Sequence, residues 1–189
     1  MQSRKNAMSQ RRLIQLCAVA LVPIGFAYLL YFFVEGKQPW GSTSKGRLLN
    51  PIISADSLGL KNLQGEQQSL AGQEVWWLLV VSENTCVEAC ENALYLVRGA
   101  HVLLNKDMSR VRRAWLSLQV ASQEIEERAS EIENKYPELH RFAGKLGALE
   151  AGVYIVDPLA NIVLYYQYSE AGKPLLDDLK KLLKVSRIG

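Results

Sequence analysis

The sequence predicts an α/β domain built on a mixed β-sheet with helices packed against it, carried behind one N-terminal membrane helix. An uncharged run at residues 13–34 comes before any acidic residue. Beyond it, short runs rich in Val, Ile, Trp and Tyr alternate with stretches whose apolar residues recur at three- and four-residue steps. Such alternation is the mark of strand–helix–strand units and a parallel pair. The last two apolar runs are joined by Asp157-Pro158-Leu159-Ala160-Asn161, a turn-rich connection that adds antiparallel strands.

At 189 residues, 49% hydrophobic and 22% charged, the chain is long enough for about one domain and an extra segment. Wholesale disorder and a disulfide-dense scaffold are excluded. Of 22 Lys and Arg, four (Arg4, Lys5, Arg11 and Arg12) precede the first acidic residue, Glu35, leaving 18 against 19 Asp and Glu. That remainder cannot neutralise several phosphates, so nucleic acid is not an expected partner.

Residues 13–34 contain 22 consecutive uncharged positions, about 33 Å at helical rise and enough to span a bilayer core. Pro23 and Gly25 are tolerated in such helices, and Tyr28, Tyr31, Phe32 and Phe33 gather where aromatic rings prefer the headgroups. With the basic residues ahead of the span, residues 1–12 are expected in the cytoplasm and everything beyond about residue 35 outside it. A cleaved signal peptide fits less well, because the run exceeds the usual apolar core and no A-x-A-like site closes it. Arg11-Arg12 is read as topology charge, and Cys17 as a small apolar residue of the span. Residues 35–47, rich in Gly, Ser and Pro, read as a linker to a domain at 48–189.

Within the domain, Leu58, Leu60, Leu63 and Leu70 around Gly65-Glu66 suggest a short hairpin. The apolar run at residues 75–81 reads as a strand covered on both faces, with neighbouring Trp76 and Trp77 directed into the core from opposite sides. Ala89, Ala93, Val97, Ala100 and Leu104 then mark a helix. Residues 114–120 supply a second strand, and Ile125, Ala129, Ile132 and Tyr136 a helix stopped by Pro137. Its Glu124, Glu126, Glu127, Glu131 and Glu133 read as a solvated face. Strands at 153–156 and 162–168 form the hairpin, in which Tyr165, Tyr166 and Tyr168 are read mainly as packing. Pro174 opens a last helix that buries Leu175, Leu176, Leu179, Leu182 and Leu183. Helices are expected on both faces of the sheet.

Chemistry concentrates at Cys86-Val87-Glu88-Ala89-Cys90, where a buried strand yields to a helix. Open α/β sheets place reaction sites beyond the carboxyl ends of their strands. At helical rise the two Cα atoms stand about 6 Å apart, within disulfide range. A helix starting near Cys86 favours its thiolate, while Glu83, Glu88 and Glu91 oppose it. Three readings stay open: a static disulfide, a labile dithiol that exchanges with a partner, and a two-thiolate Cu(I) site. His101 lies about 16 Å along the helix from Cys90 and is out of metal-binding range; His140 could approach in space.

A cysteine pair at the end of the first central strand, in this order of elements, resembles the thioredoxin fold. The three-residue spacer, single membrane anchor and outer domain resemble the SCO/SenC family of cytochrome c oxidase assembly proteins. The resemblance covers the anchor and roughly residue 73 onward. It implies a thioredoxin-like domain in the bacterial periplasm, anchored in the inner membrane with its N-terminus cytoplasmic, and oxidase subunits or other assembly factors as partners. It carries a redox or Cu(I)-binding role onto Cys86 and Cys90 alone. The family motif continues C-x-x-x-C-P, whereas Glu91 follows Cys90. No His occupies residues 147–152, where the family's third copper ligand falls, and no Pro stands near Gly152, where thioredoxins carry a cis-proline. The implied protein is a divergent relative whose copper-carrying role is reduced or lost.

Two alternatives use the same residues differently. A general thiol–disulfide oxidoreductase would attack with Cys86 and resolve with Cys90; a noncatalytic docking module would keep the pair as a structural bridge. Neither a G-x-S-x-G elbow nor a phosphate loop is present, so hydrolase and kinase readings find no support.

Overall fold

The computed structural model describes residue 12 and residues 15–29, 44–62, 64–83, 86–117, 123–145 and 149–186. Two compact units divide the chain, residues 1–43 and 44–189. In the first, residues 15–29 are helical and exposed throughout. Among the described residues no helix is long and apolar enough to cross a membrane, and residues 13, 14 and 30–34 of the expected span lie outside them.

The second unit is a six-stranded mixed sheet. Its strands are β1 (Arg47–Ser54), β2 (Trp76–Ser82), β3 (Val111–Ser117), β4 (Leu139–Ala143), β5 (Gly152–Val156) and β6 (Asn161–Tyr166), with helices α1 (Glu88–Val102), α2 (Gln123–Lys135) and α3 (Lys173–Val185). The spatial order is β1-β6-β5-β2-β3-β4. The β2–β3 and β3–β4 pairs are parallel, and β2–β5, β5–β6 and β1–β6 are antiparallel. A mixed sheet with parallel crossovers and a terminal hairpin thus agrees with the sequence expectation.

Strand alternation divides the interior in two. Trp76, Leu78 and Val80 of β2 face one core with Trp115, Val153, Ile155 and Leu164. Trp77, Leu79 and Val81 face the other with Leu116, Tyr154, Val156 and Ile162. Both Trp76 and Trp77 are buried, on opposite sides as their adjacency requires.

α-Helices on both faces, as expected from the sequence, do not occur among the described residues of this unit; the second face carries only a 3₁₀ turn at Ala55–Leu58. α1, α2 and α3 all feed the Trp76 core, through Leu94 and Val97, Ala129 and Ile132, and Leu175 and Leu179. The crossovers β2–α1–β3 and β3–α2–β4 step the same way along the sheet, and right-handed crossovers in one direction place their helices on one face. The other face is covered by Ala55, Leu58, Leu60 and Leu70 from the segment between β1 and β2. The hairpin expected there is a single antiparallel bridge, Lys61↔Gln67, turned by Gly65 at φ 79° and by Asn62 Oδ1, which accepts from the backbone of Gln64 and Glu66.

Two edge strands are additional to those expected. β1 starts at the last linker residue and is mostly exposed; an edge position accepts Pro51, which has no N–H to donate. β4 begins two residues after Pro137 and is five residues long. β3 begins three residues earlier than expected, since Arg113 is buried with its guanidinium donating to the Pro137 carbonyl at 2.8 Å; residues 118–120 lie outside the described residues.

The start of the domain is pinned to α3. Asp178, 2% exposed, accepts from the backbone N–H of Gly46 at 3.0 Å and of Lys45, from Tyr166 Oη at 3.0 Å and from Lys181 Nζ at 3.1 Å. A Cβ at Gly46 would stand 2.4 Å from the Tyr166 ring, so only glycine lets the chain pass there.

Candidate functional site

β2 delivers the site. Every residue of this strand is buried, which makes it a rigid rail ending at Ser82, whose hydroxyl accepts from Trp115 Nε1 at 2.9 Å. Residues 84–85 lie outside the described residues. The chain then enters α1 with Cys86 just ahead of the N-cap, Val87, and Cys90 as the third helical residue. The helix starts at Glu88, two residues later than a start at Cys86, so the favourable helix end lies closer to Cys90.

Cys86 and Cys90 form a disulfide with Cα atoms 5.2 Å apart, close to the separation expected from helical rise. Both are 1% exposed and belong to the core of Trp76, Ala93 and Val153. The pair expected from the sequence is therefore brought together, but inside the protein. A neighbouring wall is Tyr168, whose hydroxyl donates to the Val81 carbonyl at 2.5 Å; burial pushes that phenol up to about 12.

Gly152 opens β5 opposite Val81, where the thioredoxin cis-proline would fall. Its φ is 159°, and an added Cβ would lie 2.7 Å from the Tyr166 carbonyl oxygen. Close backbone approach explains a residue without a side chain here. The one cis peptide among the described residues, Asn50–Pro51, is on edge strand β1.

The acidic surroundings read from the sequence are partly neutralised. Glu91 pairs with Arg128 and, at 3.1 Å, with Lys135, both on α2. Tyr136 Oη adds a bond to the Glu91 carbonyl at 3.3 Å. This knot fastens the first turn of α1 to α2 beside an open cavity of about 480 Å³, which Glu88, Asn92 and Tyr95 also line. Glu83 and Glu88 are exposed.

Neither histidine joins the pair. α1 runs unbroken through Gly99, and His101 Nε2 lies 2.9 Å from the Val111 carbonyl and 3.0 Å from that of Met108. His140, on β4, sets its ring edge-on to Trp77 at 5.1 Å, which belongs to the core opposite the cysteines. Burial, with Arg112 and Arg113 nearby, pushes its imidazole down. Among the described residues there is no group of three His, Cys, Asp or Glu able to hold a metal ion. Residues 146–148, part of the stretch scanned for a third ligand, lie outside the described residues. Cys17 is exposed on the N-terminal helix.

The hairpin tyrosines are packing residues: Tyr165 and Tyr166 are buried in opposite cores. Of the Glu-rich helix, Glu126 is more than a solvated face, since it takes a two-pronged bond from Arg141 of β4 at 2.9 Å. Sequence reasoning missed the Glu91 knot and the Asp178 clasp. The second had a signal, because Asp178 follows Leu175 by three positions and so falls on the buried face of its helix.

The match to known proteins agrees with this geometry. A family model described as "transmembrane-like, thioredoxin-like, C-terminal domain" matches residues 76–186. Among solved structures, apo Sco1 from Thermus thermophilus is 17% identical, with 75% of this chain and 98% of that chain covered and a TM-score of 0.52. Yeast Sco1 is 15% identical, with 67% and 92% covered and a TM-score of 0.52. BsSco, a member of the Sco family of cytochrome c oxidase assembly proteins in which a disulfide switch has been identified, is 14% identical, with 76% and 95% covered and a TM-score of 0.50. No curated protein matches the sequence. At these identities the structures share the fold of this chain, with strands β2 to β6, the three helices and the cysteine turn inside the matched segment. The chain belongs to the family of transmembrane-like, thioredoxin-like C-terminal domains.

Proposed function

We propose that this protein is a membrane-tethered, periplasmic assembly factor for cytochrome c oxidase that works through reversible thiol–disulfide chemistry at Cys86 and Cys90. The observation that carries the proposal is the disulfide itself, closed at the carboxyl end of the central strand of a thioredoxin fold. The disulfide switch of BsSco is a precedent on a shared fold. Anchoring rests on the 22 uncharged residues at 13–34, on the helical and exposed state of residues 15–29 and on the basic residues ahead of them.

In exchange, a thiolate of the partner attacks one sulfur of the bridge, forming a mixed disulfide while the other cysteine leaves as thiolate and takes up a proton. A second partner thiol then attacks its own sulfur in that bond. The partner departs as a disulfide, and Cys86 and Cys90 remain as two thiols. Both cysteines are buried, so the packing around them must loosen for the first attack. The reduced Cys86 and Cys90 would also hold Cu(I) as a cargo, because soft thiolates suit that ion. His101 and His140 are engaged away from the sulfurs and offer copper no further ligand, which favours redox chemistry over metal transfer.

A structural bridge is the competing reading, favoured by the burial of both cysteines. An equilibrium redox titration of residues 44–189, read by alkylation and mass spectrometry, separates them. The proposal expects a potential more oxidising than about −300 mV, and a lower value marks a structural bridge. Exchange is reversible, and in the reverse direction Cys86 of a Cys90→Ser variant attacks a partner disulfide, releases one partner thiolate and stays joined to the other sulfur; capture of an oxidase subunit or assembly factor in this mixed disulfide tests the partner.

A further inference from the structure

Charges in residues 44–189 nearly cancel, with 17 basic against 18 acidic, yet they are segregated. α2, which joins β3 to the edge strand β4, carries five glutamates against Arg128 and Lys135. α3 carries Lys173, Lys180, Lys181 and Lys184 against Asp177 and Asp178, and Asp178 is turned inward. At 100° per residue Lys173, Asp177, Lys180 and Lys184 fall on one narrow stripe, with Lys181 at its flank. Lys180, Lys181 and Lys184 are exposed. Lys45, from the segment leading into β1, joins this stripe through its ion pair with Asp177 at 2.5 Å.

Next to the basic stripe lies exposed apolar surface. Leu48 and Ile52 of β1 are 57% and 70% exposed. Leu48 pairs with Leu164, whose side chain enters the core under the helices. Ile53 packs into the opposite core, so alternation turns Ile52 to the same side as Leu48. Lysines beside exposed aliphatic residues suit a lipid headgroup layer, where phosphates meet the amines and apolar side chains reach the acyl boundary.

We infer that this face, the outer stripe of α3 with Lys45, Leu48 and Ile52, docks on an anionic phospholipid bilayer. The inference rests on the membrane-anchored reading above. Continuity of the chain supports that occupant: only residues 35–44 separate the end of the uncharged run from Lys45, a reach of about 35 Å even when fully extended. Charge complementarity supports it too, since the acidic α2 serves the opposite edge of the sheet and is repelled by the same lipid.

The test uses residues 44–189, whose six strands, three helices and two cores are all internal to one compact unit. Co-sedimentation is measured with vesicles of phosphatidylcholine alone and of equal parts phosphatidylcholine and phosphatidylglycerol. Binding is expected to be about tenfold or more stronger on the anionic vesicles, at about fivefold per engaged lysine, and to fall with added salt. Combining Lys173→Glu, Lys180→Glu and Lys184→Glu abolishes the preference, whereas Leu48→Ser with Ile52→Ser weakens binding to anionic vesicles severalfold. The salt series on the unaltered protein probes the same charges if a variant fails to fold. Equal binding to both vesicles, or a preference untouched by charge reversal and salt, overturns the inference. So does capture by polyglutamate as tight as by anionic vesicles, which assigns the stripe to an acidic protein. Carbonate extraction of the full chain from membranes reads the anchor separately, so failure of the anchor and failure of this surface give different results.

Discussion

Reducing the Cys86–Cys90 bridge changes one covalent bond and leaves both sulfurs in place. The bridge closes a sequence separation of only four. In the chain-entropy account a loop of about five residues restricts the unfolded chain by roughly 7 cal/mol/K, or about 2 kcal/mol at 25 °C, against about 4.7 kcal/mol for a 100-residue loop. Two thiols left in the Trp76 core add little, because a buried thiol behaves as a small apolar group. Reduction is therefore expected to destabilise the domain by about 2 kcal/mol without unfolding it. By linkage, folding then shifts the pair's potential by only about 45 mV from that of the unfolded chain. Urea unfolding of residues 44–189, with and without a phosphine reductant, measures the difference as a shift in midpoint at unchanged slope. Complete unfolding on reduction, or a loss above about 4 kcal/mol, would refute the reasoning and show that the bridge holds the domain together.

Asp178→Ala leaves buried donors from Gly46, Lys45 and Tyr166 without an acceptor and is expected to cost about 3 kcal/mol, read in the same unfolding assay. Burial works to raise the Asp178 carboxyl, but the bonds from Gly46, Lys181, Lys45 and Tyr166 outweigh it and hold the group below its ordinary range. Its stabilising contribution is thus present above the unfolded-state pKa near 4 and disappears as pH falls through the lower folded value; Asp178→Asn should flatten that acid limb of the stability curve. His140 has the other chemistry with the same direction, since burial beside Arg112 and Arg113 depresses its pKa. The unfolded chain takes up that proton first, so stability falls as pH drops below about 6.5, and thermal melting of His140→Asn between neutral and mildly acid pH should lack this component. Gly152→Ala drives a methyl to 2.7 Å from the Tyr166 carbonyl oxygen and is expected to cost about 2 kcal/mol by thermal melting.

Legibility in the sequence followed burial. β2 and β5 are covered on both faces, and their unbroken apolar runs leave no other reading. α3 shows its leucine stripe for the same reason. β1 escaped because an edge strand needs no second apolar face: Arg47, Asn50 and Pro51 interrupt it, and its assignment comes from pairing with β6. β4 is only five residues long and carries Arg141 and His140, whose places are set by Glu126 and Trp77 from distant parts of the chain. Face assignment of the helices was a further miss. Amphipathic spacing reports that a helix has a buried stripe, and only strand order reports which side of the sheet receives it. The cysteine turn was legible as chemistry, because two thiols four residues apart at a strand end can bond whichever way the rest folds. Their burial was not, since it depends on Val153 and on the residues around them in the closed core.

The same distinction bears on how reactive the pair can be. Three nearby glutamates, counted along the sequence, argue against a thiolate. In space Glu91 spends its charge on Arg128 and Lys135, and Glu83 and Glu88 face solvent, where screening weakens them. Cys90 lies one residue before Glu91 and within the first turn of α1, where the unpaired backbone N–H groups favour negative charge. The barrier to exchange is therefore set more by access than by charge: each cysteine is 1% exposed, while the helix end beside them is fastened to α2 by the Glu91 knot. Tyr168, bonded to the Val81 carbonyl, packs against the same core, so exchange by the proposed route requires the packing around both cysteines to loosen.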